Sequence, residues 1–435
     1  MNQHRLTGGQ LSFRGLCVMA AVVMAAPLLM AQAAWAPASE PGVPPGPATI
    51  HPSVVHVDPG QQQKFKILQP HWLLSTTVMP GVKWSVNDIS GGNAEIGTID
   101  SDGTYHAPKT APTPHEIHIC ADADGATNRY LWATVIIGSE PPTYKMVRNW
   151  GEQKGHLVHL KGPHGLAIDA NGNLIIMDRG SNEVVRYTPD GKYLGQIGRP
   201  GDSESERQPG GFFKEPRDAA VDAQGSIFVS DEGTAERIQV FSPDGKFLYR
   251  FGLKGNRPGM ILRPHGMQFG TKGNLFVDDV DNFRISVYEP SGKFLYSWGQ
   301  DGLYPGGMNP PHGLALDKND AVFVNSFYGP AQKFTKDGKF LKAFAYADPP
   351  DGPIIFHTLS GDHWGDIFQP VEVLKPNPEN YISFQKFNDN GDLVTNIRLS
   401  TPDRNASWIA VAKDGTVYAL YSGKTENGVQ VFKEQ

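Results

Sequence analysis

A histidine recurs in one local context along the chain. His164 stands in "GPHGLAID", His265 in "RPHGMQFG" and His312 in "PPHGLALD". His357, in "FHTLSGDHWGDIF", keeps the histidine after the surrounding Pro and Gly have been lost. Three neutral imidazoles with an open fourth position form a common kind of catalytic zinc site. The chemistry therefore depends on whether the fold brings these histidines to one place.

The position that these histidines share, here called the slot, marks a repeat. At intervals of 45 to 53 residues the slot is occupied in turn by His164, Arg217, His265, His312, His357 and Ser407, which define repeats one to six. After the slot, a unit continues with a second strand such as "NLIIMD", a third such as "EVVRYTPDGK" and a fourth such as "YLGQIG". Four strands in a repeat of this length are typical of a propeller blade. The sequence predicts an all-β chain with a six-bladed β-propeller over residues 144–435.

Two local signals refine this prediction. The "PDGK" and "PSGK" pieces between third and fourth strands predict hairpin turns with glycine at positive φ. The last repeat stops after its third strand, "GVQVFKEQ", whereas "YKMVRNWG" at 144–151 is a strand without a repeat of its own. Pairing of these two segments would close the ring and leave no free sheet edge.

In a propeller the first strand of each blade runs beside the central channel, so the slots converge on one channel mouth. His164, His265 and His357 come from alternate repeats, and we expect them to hold zinc or another divalent transition ion. His312 could be a further ligand, a proton shuttle or a substrate contact. The alternative is that the recurring frame is structural and merely tolerates histidine in the slot.

The N-terminus predicts export. Arg5 and Arg14 precede the apolar run "LCVMAAVVMAAPLLMA", and small residues follow it, so residues 1–36 are interpreted as a signal peptide that sends the protein to the periplasm or outside the cell. The other interpretation is a membrane anchor, but the run is short for a span and contains Pro27. No later segment is apolar enough to span a bilayer. Residues 37–48 are predicted to be an extended Pro-rich linker.

Residues 49–140 alternate apolar and polar positions in short runs, which predicts an antiparallel β-sandwich. "VKWSVN" and "GTIDSDGTYHAP" resemble bacterial immunoglobulin-like domains, with Trp84 in the core. Its histidines, which could be named as metal ligands, are interpreted as solvated or packed: His106, His115 and His118. Cys120 is alone in the mature chain, so no internal disulfide is expected.

The overall charge argues against one class of partner. The net charge is −6 and no Lys/Arg-rich stripe occurs, so nucleic acid is not an expected partner. Acidic and arginine residues that recur after the second strands are interpreted as ion pairs that join blades: Asp231, Asp278, Asp279, Arg237 and Arg284. No "GxSxG" elbow supports nucleophilic catalysis.

The repeats resemble NHL-type propellers, and among them most closely the peptidyl-hydroxyglycine amidating lyases. "PHGLAIDANGNL" is similar to that family's first zinc-histidine motif, and "RPHGMQFG" stands where its second belongs. The resemblance covers repeats one to four well and repeat five weakly, and does not reach the immunoglobulin-like region. It implies a zinc lyase that splits a carbinolamide into an amide and glyoxylate, with a structural calcium ion as well.

Residue by residue, the resemblance implies His164, His265 and His357 as zinc ligands. Arg179, in "MDRG", resembles an arginine that could hold a carboxylate, although a blade-to-blade ion pair is an equal alternative. The family's tyrosine falls on Gly233, and Tyr328 of repeat four could supply a phenol instead or simply pack.

A further departure is the family's methionine beside the third histidine, which Ile355 and Phe356 replace here. The first hypothesis is therefore an exported metal-dependent lyase acting on a small hydroxy-carboxylate, a carbinolamide or a peptide terminus, with Arg179, Tyr328 and His312 contacting the substrate. The second is a non-catalytic propeller that binds a protein or glycan, spaced by the immunoglobulin-like domain.

Overall fold

A computed structural model describes most of the chain after the predicted leader. The described residues are 49–68, 82–122, 130–138, 143–151, 160–201, 210–302, 304–308, 310–326, 329–344, 354–362, 364–373, 384–399, 404–423 and 427–435. The predicted signal peptide, the Pro-rich linker and Tyr328 lie outside them. Within this part of the chain no helix is long and apolar enough to cross a membrane.

The N-terminal part consists of short strands. They are β1 (Thr49–His51), β2 (Val54–Val57), β3 (Gln62–Lys64), β4 (Lys66–Leu68), β5 (Lys83–Val86), β6 (Ile89–Ser90), β7 (Gly92–Asn93), β8 (Gly97–Ile99), β9 (Thr104–His106), β10 (Glu116–Asp122) and β11 (Tyr130–Ile137). They pair in the orders β2-β11-β10-β5-β6, β3-β9-β8-β7 and β1-β4. Trp84 and Tyr105 lie in the hydrophobic core between them, as predicted for Trp84.

Strand β10 is buried along almost its whole length, which a strand of an isolated sandwich would not be. Its alternate residues Ile117 and Ile119 face the N-terminal core. Glu116 and His118, which alternate with them, contact the C-terminal part of the chain. Residues Pro45–Gln435 accordingly form one compact unit.

The rest of the chain is almost entirely strand. The strands are β12 (Tyr144–Gly151), β13 (Pro163–Ile168), β14 (Leu174–Asp178), β15 (Glu183–Tyr187), β16 (Tyr193–Ile197), β17 (Arg199–Pro200), β18 (Phe212–Phe213), β19 (Pro216–Val221), β20 (Ile227–Asp231), β21 (Arg237–Phe241), β22 (Phe247–Phe251), β23 (Leu253–Lys254), β24 (Met260–Ile261), β25 (Pro264–Phe269), β26 (Leu275–Asp279), β27 (Arg284–Tyr288), β28 (Phe294–Trp298), β29 (Pro311–Leu316), β30 (Val322–Ser326), β31 (Gly329–Phe334), β32 (Phe340–Ala343), β33 (Ile354–Phe356), β34 (Ser360–Gly361), β35 (Ile367–Val373), β36 (Phe384–Phe387), β37 (Leu393–Ile397), β38 (Arg404–Val411), β39 (Val417–Gly423) and β40 (Asn427–Glu434). A 3-10 turn, Val280–Asn282, follows β26.

These strands form successive antiparallel sheets, one for each sequence repeat. Repeats one to four give β13-β14-β15-β16, β19-β20-β21-β22, β25-β26-β27-β28 and β29-β30-β31-β32. Repeat five gives β33-β35-β36-β37 with β34 attached to β35, and repeat six gives β38-β39-β40 with β12. Nearly all-β structure in repeated four-stranded sheets is consistent with a β-propeller.

Two sequence predictions about these sheets are confirmed. Strand β12 pairs antiparallel with β40, so the segment at 144–151 completes the sheet of the last repeat. The turn glycines of the "PDGK" pieces have positive φ, at 89° for Gly191 and 84° for Gly245. The pairing satisfies backbone N–H and C=O groups that a free strand edge would leave unpaired. Glycine fits the turns because it adopts positive φ without strain.

The slot lies in the first strand of every repeat except the fifth, where His357 lies between β33 and β34. These first strands, with β34 in repeat five, contact one another in the order β13, β19, β25, β29, β34, β38 and back to β13. In β13 and β29 the pairing register shifts at the slot residue itself, between Pro163 and Gly165 and between Pro311 and Gly313. A bulge of this kind re-aims a side chain out of the regular alternation. It therefore accounts for slot side chains that point away from the sheet cores.

Candidate functional site

The four slot histidines lie next to one another. The ring centroids are 5.2 Å apart for His164 and His265, 4.3 Å for His265 and His312, and 5.9 Å for His312 and His357. We call these four residues the histidine cluster. The strands that carry them come from repeats one, three, four and five, so only the fold brings them together.

His265 is the most enclosed member of the cluster. Its side chain is 1% exposed, and neither ring nitrogen has a hydrogen-bond partner among the described residues. Burial lowers the pKa of His265 well below 6.5, and the neighbouring His312 and His164 lower it further. A neutral imidazole with unsatisfied nitrogens in a buried place costs free energy, unless a ligand completes it.

His164 has one nitrogen engaged. Its Nε2 accepts a hydrogen bond of 3.0 Å from Nη1 of Arg217, the slot residue of repeat two. Its Nδ1 is buried without a partner among the described atoms. Burial lowers the pKa of His164 well below 6.5, and the Arg217 charge adds to this effect. His164 is therefore a neutral ring at neutral pH.

Arg217 is held in place from its other side. Nη2 lies 2.5 Å from Oε2 of Glu232, whose side chain is only 3% exposed. Burial raises the pKa of Glu232 to about 7, against the opposing charge of Arg217. Glu232 also lies 3.9 Å from Nε of Arg263. The guanidinium thus bridges a buried carboxylate and the histidine cluster.

Trp408 forms the floor beneath the histidines. Its ring lies 5.1 Å from that of His164 and 5.3 Å from that of His265, and its side chain is 2% exposed. Below it, a cavity of about 310 Å³ runs along the first strands and is lined by Trp408, Asp218 and Met267, among others. None of the four histidines lines this cavity, so the indole separates the cluster from the channel.

Asp218 stabilises this floor. Its Oδ2 accepts a hydrogen bond of 2.9 Å from the backbone N–H of Met267, and Trp408 is a further hydrogen-bond partner. Burial raises the pKa of Asp218 to about 7. Asp278, also fully buried, has a pKa raised well above its ordinary value by burial and by Asp218. The pKa values of two neighbouring buried carboxyl groups are therefore both raised.

The predicted substrate contacts are placed differently. His312 lies inside the cluster, between His265 and His357. Arg179 is half exposed at 46%, and its Nη2 lies 3.1 Å from Oε2 of Glu215, which is the ion-pair alternative. Tyr328 falls outside the described residues. The substrate roles of all three stay predictions.

Asp279 and Arg284, two of the residues predicted to join blades, form an ion pair at 2.7 Å, but both belong to the sheet of repeat three, so this pair does not join two blades. The Arg284 guanidinium also donates to the carbonyls of Arg257 and Met260, in the segment that enters repeat three. Asp278 behaves otherwise: among the described residues its carboxyl group has no cationic partner and lies beside the backbone N–H of Gly266. It is therefore not a member of such a pair.

A second cluster of titratable residues lies where β10 meets repeat five. Ligand atoms of Glu116, His118 and Asp366 all lie within 4.8 Å of one another, a condition that the described His, Cys, Asp and Glu residues meet nowhere else. The nitrogens of His164, His265 and His357 are thus farther apart than this. By spacing alone, the second cluster would be the stronger metal candidate.

A lysine already occupies that position. The Nζ of Lys386 contacts Oε1 of Glu116 and lies 3.0 Å from Oδ2 of Asp366, and both Lys386 and Glu116 are almost fully buried. His118 Nε2 lies 3.2 Å from the same Glu116 oxygen, and its ring stacks on Trp364. We call Glu116, His118, Asp366 and Lys386 the ionic cluster. Its ammonium group takes the place that a cation would need.

The pKa shifts fit this interpretation. Although burial opposes ionisation, Lys386 and His118 lower the pKa of Glu116 below its usual range. Against the same penalty, Asp366 and Glu116 raise the pKa of His118. His118 is packed, since its side chain is buried and its ring stacks on Trp364. His106 pairs with Asp100 at 2.7 Å in an exposed position.

Sequence reasoning missed three contributors to these sites. Trp408 follows the slot residue Ser407, and its aim depends on a register shift between Ala406 and Trp408. Arg217 was identified as a slot residue, but its bond to His164 was not expected. The contact of Glu116 with Lys386 joins residues 270 positions apart, for which no local signal exists.

No family model matches the chain. It is 32% identical over 161 residues to peptidyl-glycine alpha-amidating monooxygenase B of Xenopus laevis, covering 35% of this chain and 17% of that protein. It is 30% identical over 125 residues to peptidyl-alpha-hydroxyglycine alpha-amidating lyase 1 of Drosophila melanogaster, covering 27% of this chain and 21% of that protein. The chain thus spans about a fifth of the length of these curated relatives.

Among solved structures, the chain is similar to virginiamycin B lyase from Staphylococcus aureus, at a TM-score of 0.43 and 14% identity over 67% of this chain and 88% of that one. It is also similar to a gluconolactonase from Xanthomonas campestris, at a TM-score of 0.47 and 14% identity over 68% of this chain and 96% of that one.

Proposed function

We propose that this protein is a metal-dependent, lyase-like propeller enzyme whose active site is the histidine cluster. The observation that carries the proposal is His265, a fully buried imidazole whose two nitrogens have no hydrogen-bond partner among the described residues and whose ring lies beside those of His164 and His312. Buried polar groups without partners are rare in proteins and call for an explanation. A bound ion supplies one.

His164, His265 and His357 would hold the ion, with zinc or another divalent transition metal suited to neutral imidazole donors. When bound, such an ion polarises a substrate oxygen as a Lewis acid. The residues fit this role in charge, because His164 and His265 are kept neutral and so keep their lone pairs available. Their spacing requires the rings to turn inward on binding.

The proposed substrate is a small hydroxy-carboxylate or a carbinolamide of the peptidyl-hydroxyglycine type. The partial similarity to amidating lyases supports this class. In a carbinolamide, the C–N bond breaks, the hydroxyl proton moves to the leaving nitrogen, and an amide and glyoxylate result. His312 is proposed to accept that proton, and its ring lies beside that of His265. Arg179 and Tyr328 are proposed to contact the carboxylate end.

Around this site we propose an NHL-type ring of six blades, supported by the closed order of the first strands. The N-terminal strands are proposed as an immunoglobulin-like sandwich, and the chain is proposed to be exported to the periplasm or beyond. The ionic cluster makes the sandwich a fixed part of the molecule rather than a free spacer. A structural calcium ion remains part of what the family resemblance implies.

The test is glyoxylate release from a peptidyl-hydroxyglycine by untagged protein. We expect release that chelator treatment abolishes and zinc restores, and its loss in His265→Ala. His106→Ala is the matched control, because this histidine is exposed and pairs with Asp100 in the N-terminal part. Chelator-resistant release, or equal activity in His265→Ala, would contradict a metal site at the cluster.

A second candidate is a non-catalytic scaffold that binds a protein or glycan. The observation that favours it is a set of exposed apolar side chains on outer strands, with Leu248 50%, Tyr193 48% and Leu194 44% exposed. Substitution of Leu248 and Leu194 by serine should then reduce cell-surface binding while glyoxylate release is absent from the wild type. Release by the wild type would reject this candidate as the main function.

A further inference from the structure

Arg217 contacts the histidine cluster from repeat two. It occupies the slot of repeat two, the position at which four other repeats have histidine. Its side chain is 12% exposed and reaches the nearest histidine of the cluster, with Nη1 3.0 Å from Nε2 of His164. The guanidinium is thus an integral part of the cluster.

The bond from Arg217 uses up a lone pair that a metal needs. Arginine carries only donor groups and stays charged, so His164 Nε2 must be the acceptor and its ring proton must lie on Nδ1. A neutral imidazole has one lone pair, which cannot accept from Arg217 and bind an ion at once. An ion at Nε2 must therefore displace Nη1 of Arg217.

The displaced guanidinium would stay beside the ion. Its Nη2 remains paired with Glu232, which is 3% exposed and lies 2.5 Å away. This anchor limits how far the side chain can move. Nη1 would then be an unoccupied charged donor within hydrogen-bond reach of whatever oxygen ligand the ion holds. A planar guanidinium fits a carboxylate better than any other side chain does.

We propose that Arg217 couples metal binding to the binding of a substrate carboxylate, exchanging the Nε2 of His164 for a carboxylate oxygen when the ion is loaded. This inference rests on the proposed function and narrows it to a carboxylate with a hydroxyl group on the adjacent carbon. The hydroxyl group is directed to the metal and the carboxylate to Arg217. Arg217 is thus the anion-positioning residue, with Arg179 farther out on the rim.

The coupling has a definite sign. Removing Arg217 frees Nε2 of His164 and removes a nearby positive charge, so metal binding should tighten. The same change deletes the donor for the carboxylate, so anion binding to the loaded protein should weaken. A residue with a purely structural role would weaken both, whereas opposite shifts identify an exchange of partners.

The experiment measures zinc affinity by competition with a chelating dye, and then glycolate affinity of the zinc-loaded protein by calorimetry. The variant is Arg217→Gln with Glu232→Gln, so that no buried carboxylate is left alone. Glu232→Gln alone keeps Arg217, and Arg263→Gln removes a neighbouring positive charge that makes no bond to the cluster. Arg217→Lys keeps the positive charge but removes the paired N–H donors of the guanidinium. Thermal melting checks that each variant is folded.

We expect zinc to bind the double variant about tenfold more tightly and glycolate about tenfold more weakly, the scale of one hydrogen bond to a charged group. Arg263→Gln should stay within about threefold of the wild type, the usual range for an exposed charge. Glu232→Gln alone should not tighten zinc binding as the double variant does, because Arg217 still donates to His164. Zinc binding with unchanged zinc or glycolate affinity in the double variant would overturn the coupling alone. Absence of zinc binding by the wild type would overturn the coupling and the proposed function together.

Discussion

The histidine cluster and the ionic cluster are both groups of buried titratable residues brought together by the fold, but only one is complete in itself. In the ionic cluster, the ammonium group of Lys386 contacts the carboxyl groups of Glu116 and Asp366, so the buried positive charge has partners of opposite charge. In the histidine cluster, His265 has two buried nitrogens without a hydrogen-bond partner among the described residues. Ligand spacing alone favours the ionic cluster as a metal site. The unsatisfied nitrogens of His265 favour the histidine cluster instead.

Close spacing of possible ligand atoms does not by itself identify a metal site, because a lysine ammonium can already lie between them. Glu116, His118 and Asp366 are close because an ammonium holds them together. The nitrogens of the histidine cluster are farther apart, and one of them, Nε2 of His164, accepts a hydrogen bond from Arg217. A functional site is expected to be the less stable of the two, since its cost is offset only when the ligand binds.

The largest effect should come from breaking the ionic cluster. Glu116→Gln leaves the Lys386 ammonium buried without its closest counter-charge, and loss of one partner of a buried ion pair costs about 3–5 kcal/mol. Urea unfolding should show this loss. Adding Lys386→Met should restore much of the stability, because the uncompensated charge is then gone. Equal stability of the wild type and the single variant would mean that the pair is not a structural contact.

The histidine cluster should respond in the opposite direction. His265→Leu removes two unsatisfied polar atoms from the interior, so the metal-free protein should unfold at higher urea, by about 1 kcal/mol. His118→Leu is the matched change in the ionic cluster and should destabilise, because the hydrogen bond of His118 to Glu116 is lost. Destabilisation by both substitutions would remove the distinction between the clusters.

The two clusters should also lose stability in different pH windows. Folding lowers the pKa of His265 below 6.5, so the unfolded chain binds more protons and metal-free stability falls as the pH drops below 6.5. Folding lowers the pKa of Glu116 below 4.5, so its contribution is present above 4.5 and is lost as the pH falls further.

Urea midpoints of chelated protein from pH 8 to pH 3 measure both windows. His265→Leu should flatten the slope between pH 7 and pH 5 by up to about 1.4 kcal/mol for each pH unit at which one proton is taken up. Glu116→Gln should flatten the acid end below pH 4.5, and it should also change the slope above pH 6.5, because Glu116 raises the pKa of His118. A change of slope between pH 6.5 and pH 5 in both variants would contradict the assignment.

The sequence was informative wherever a local pattern repeats. The slot spacing predicted that His164, His265, His312 and His357 would be neighbours, and the turn glycines and the pairing of β12 with β40 followed from the same repeats. These features depend on interactions between residues that are close in sequence, and the same local pattern occurs in each repeat. Repetition makes such signals visible without any knowledge of the whole fold.

What the sequence could not provide depends on single long-range contacts. Trp408 becomes the floor of the site through one register shift in β38, and Lys386 meets Glu116 across 270 residues. The hydrogen bond between Arg217 and His164 depends on side-chain direction across two strands. The register shift recurs at the slots of other repeats, but the contacts that these three side chains make depend on individual residues, which the repeat pattern does not predict.

The central claim is that the metal binds at the histidine cluster and not at the ionic cluster. The most direct measurement is metal content by mass spectrometry on mature, untagged protein after exposure to micromolar zinc, for the wild type, His164→Ala with His265→Ala, and Glu116→Gln. We expect about one ion per chain in the wild type and in folded Glu116→Gln, and none in the double histidine variant. Metal that survives the loss of both histidines, or a wild type that takes up none, would contradict it.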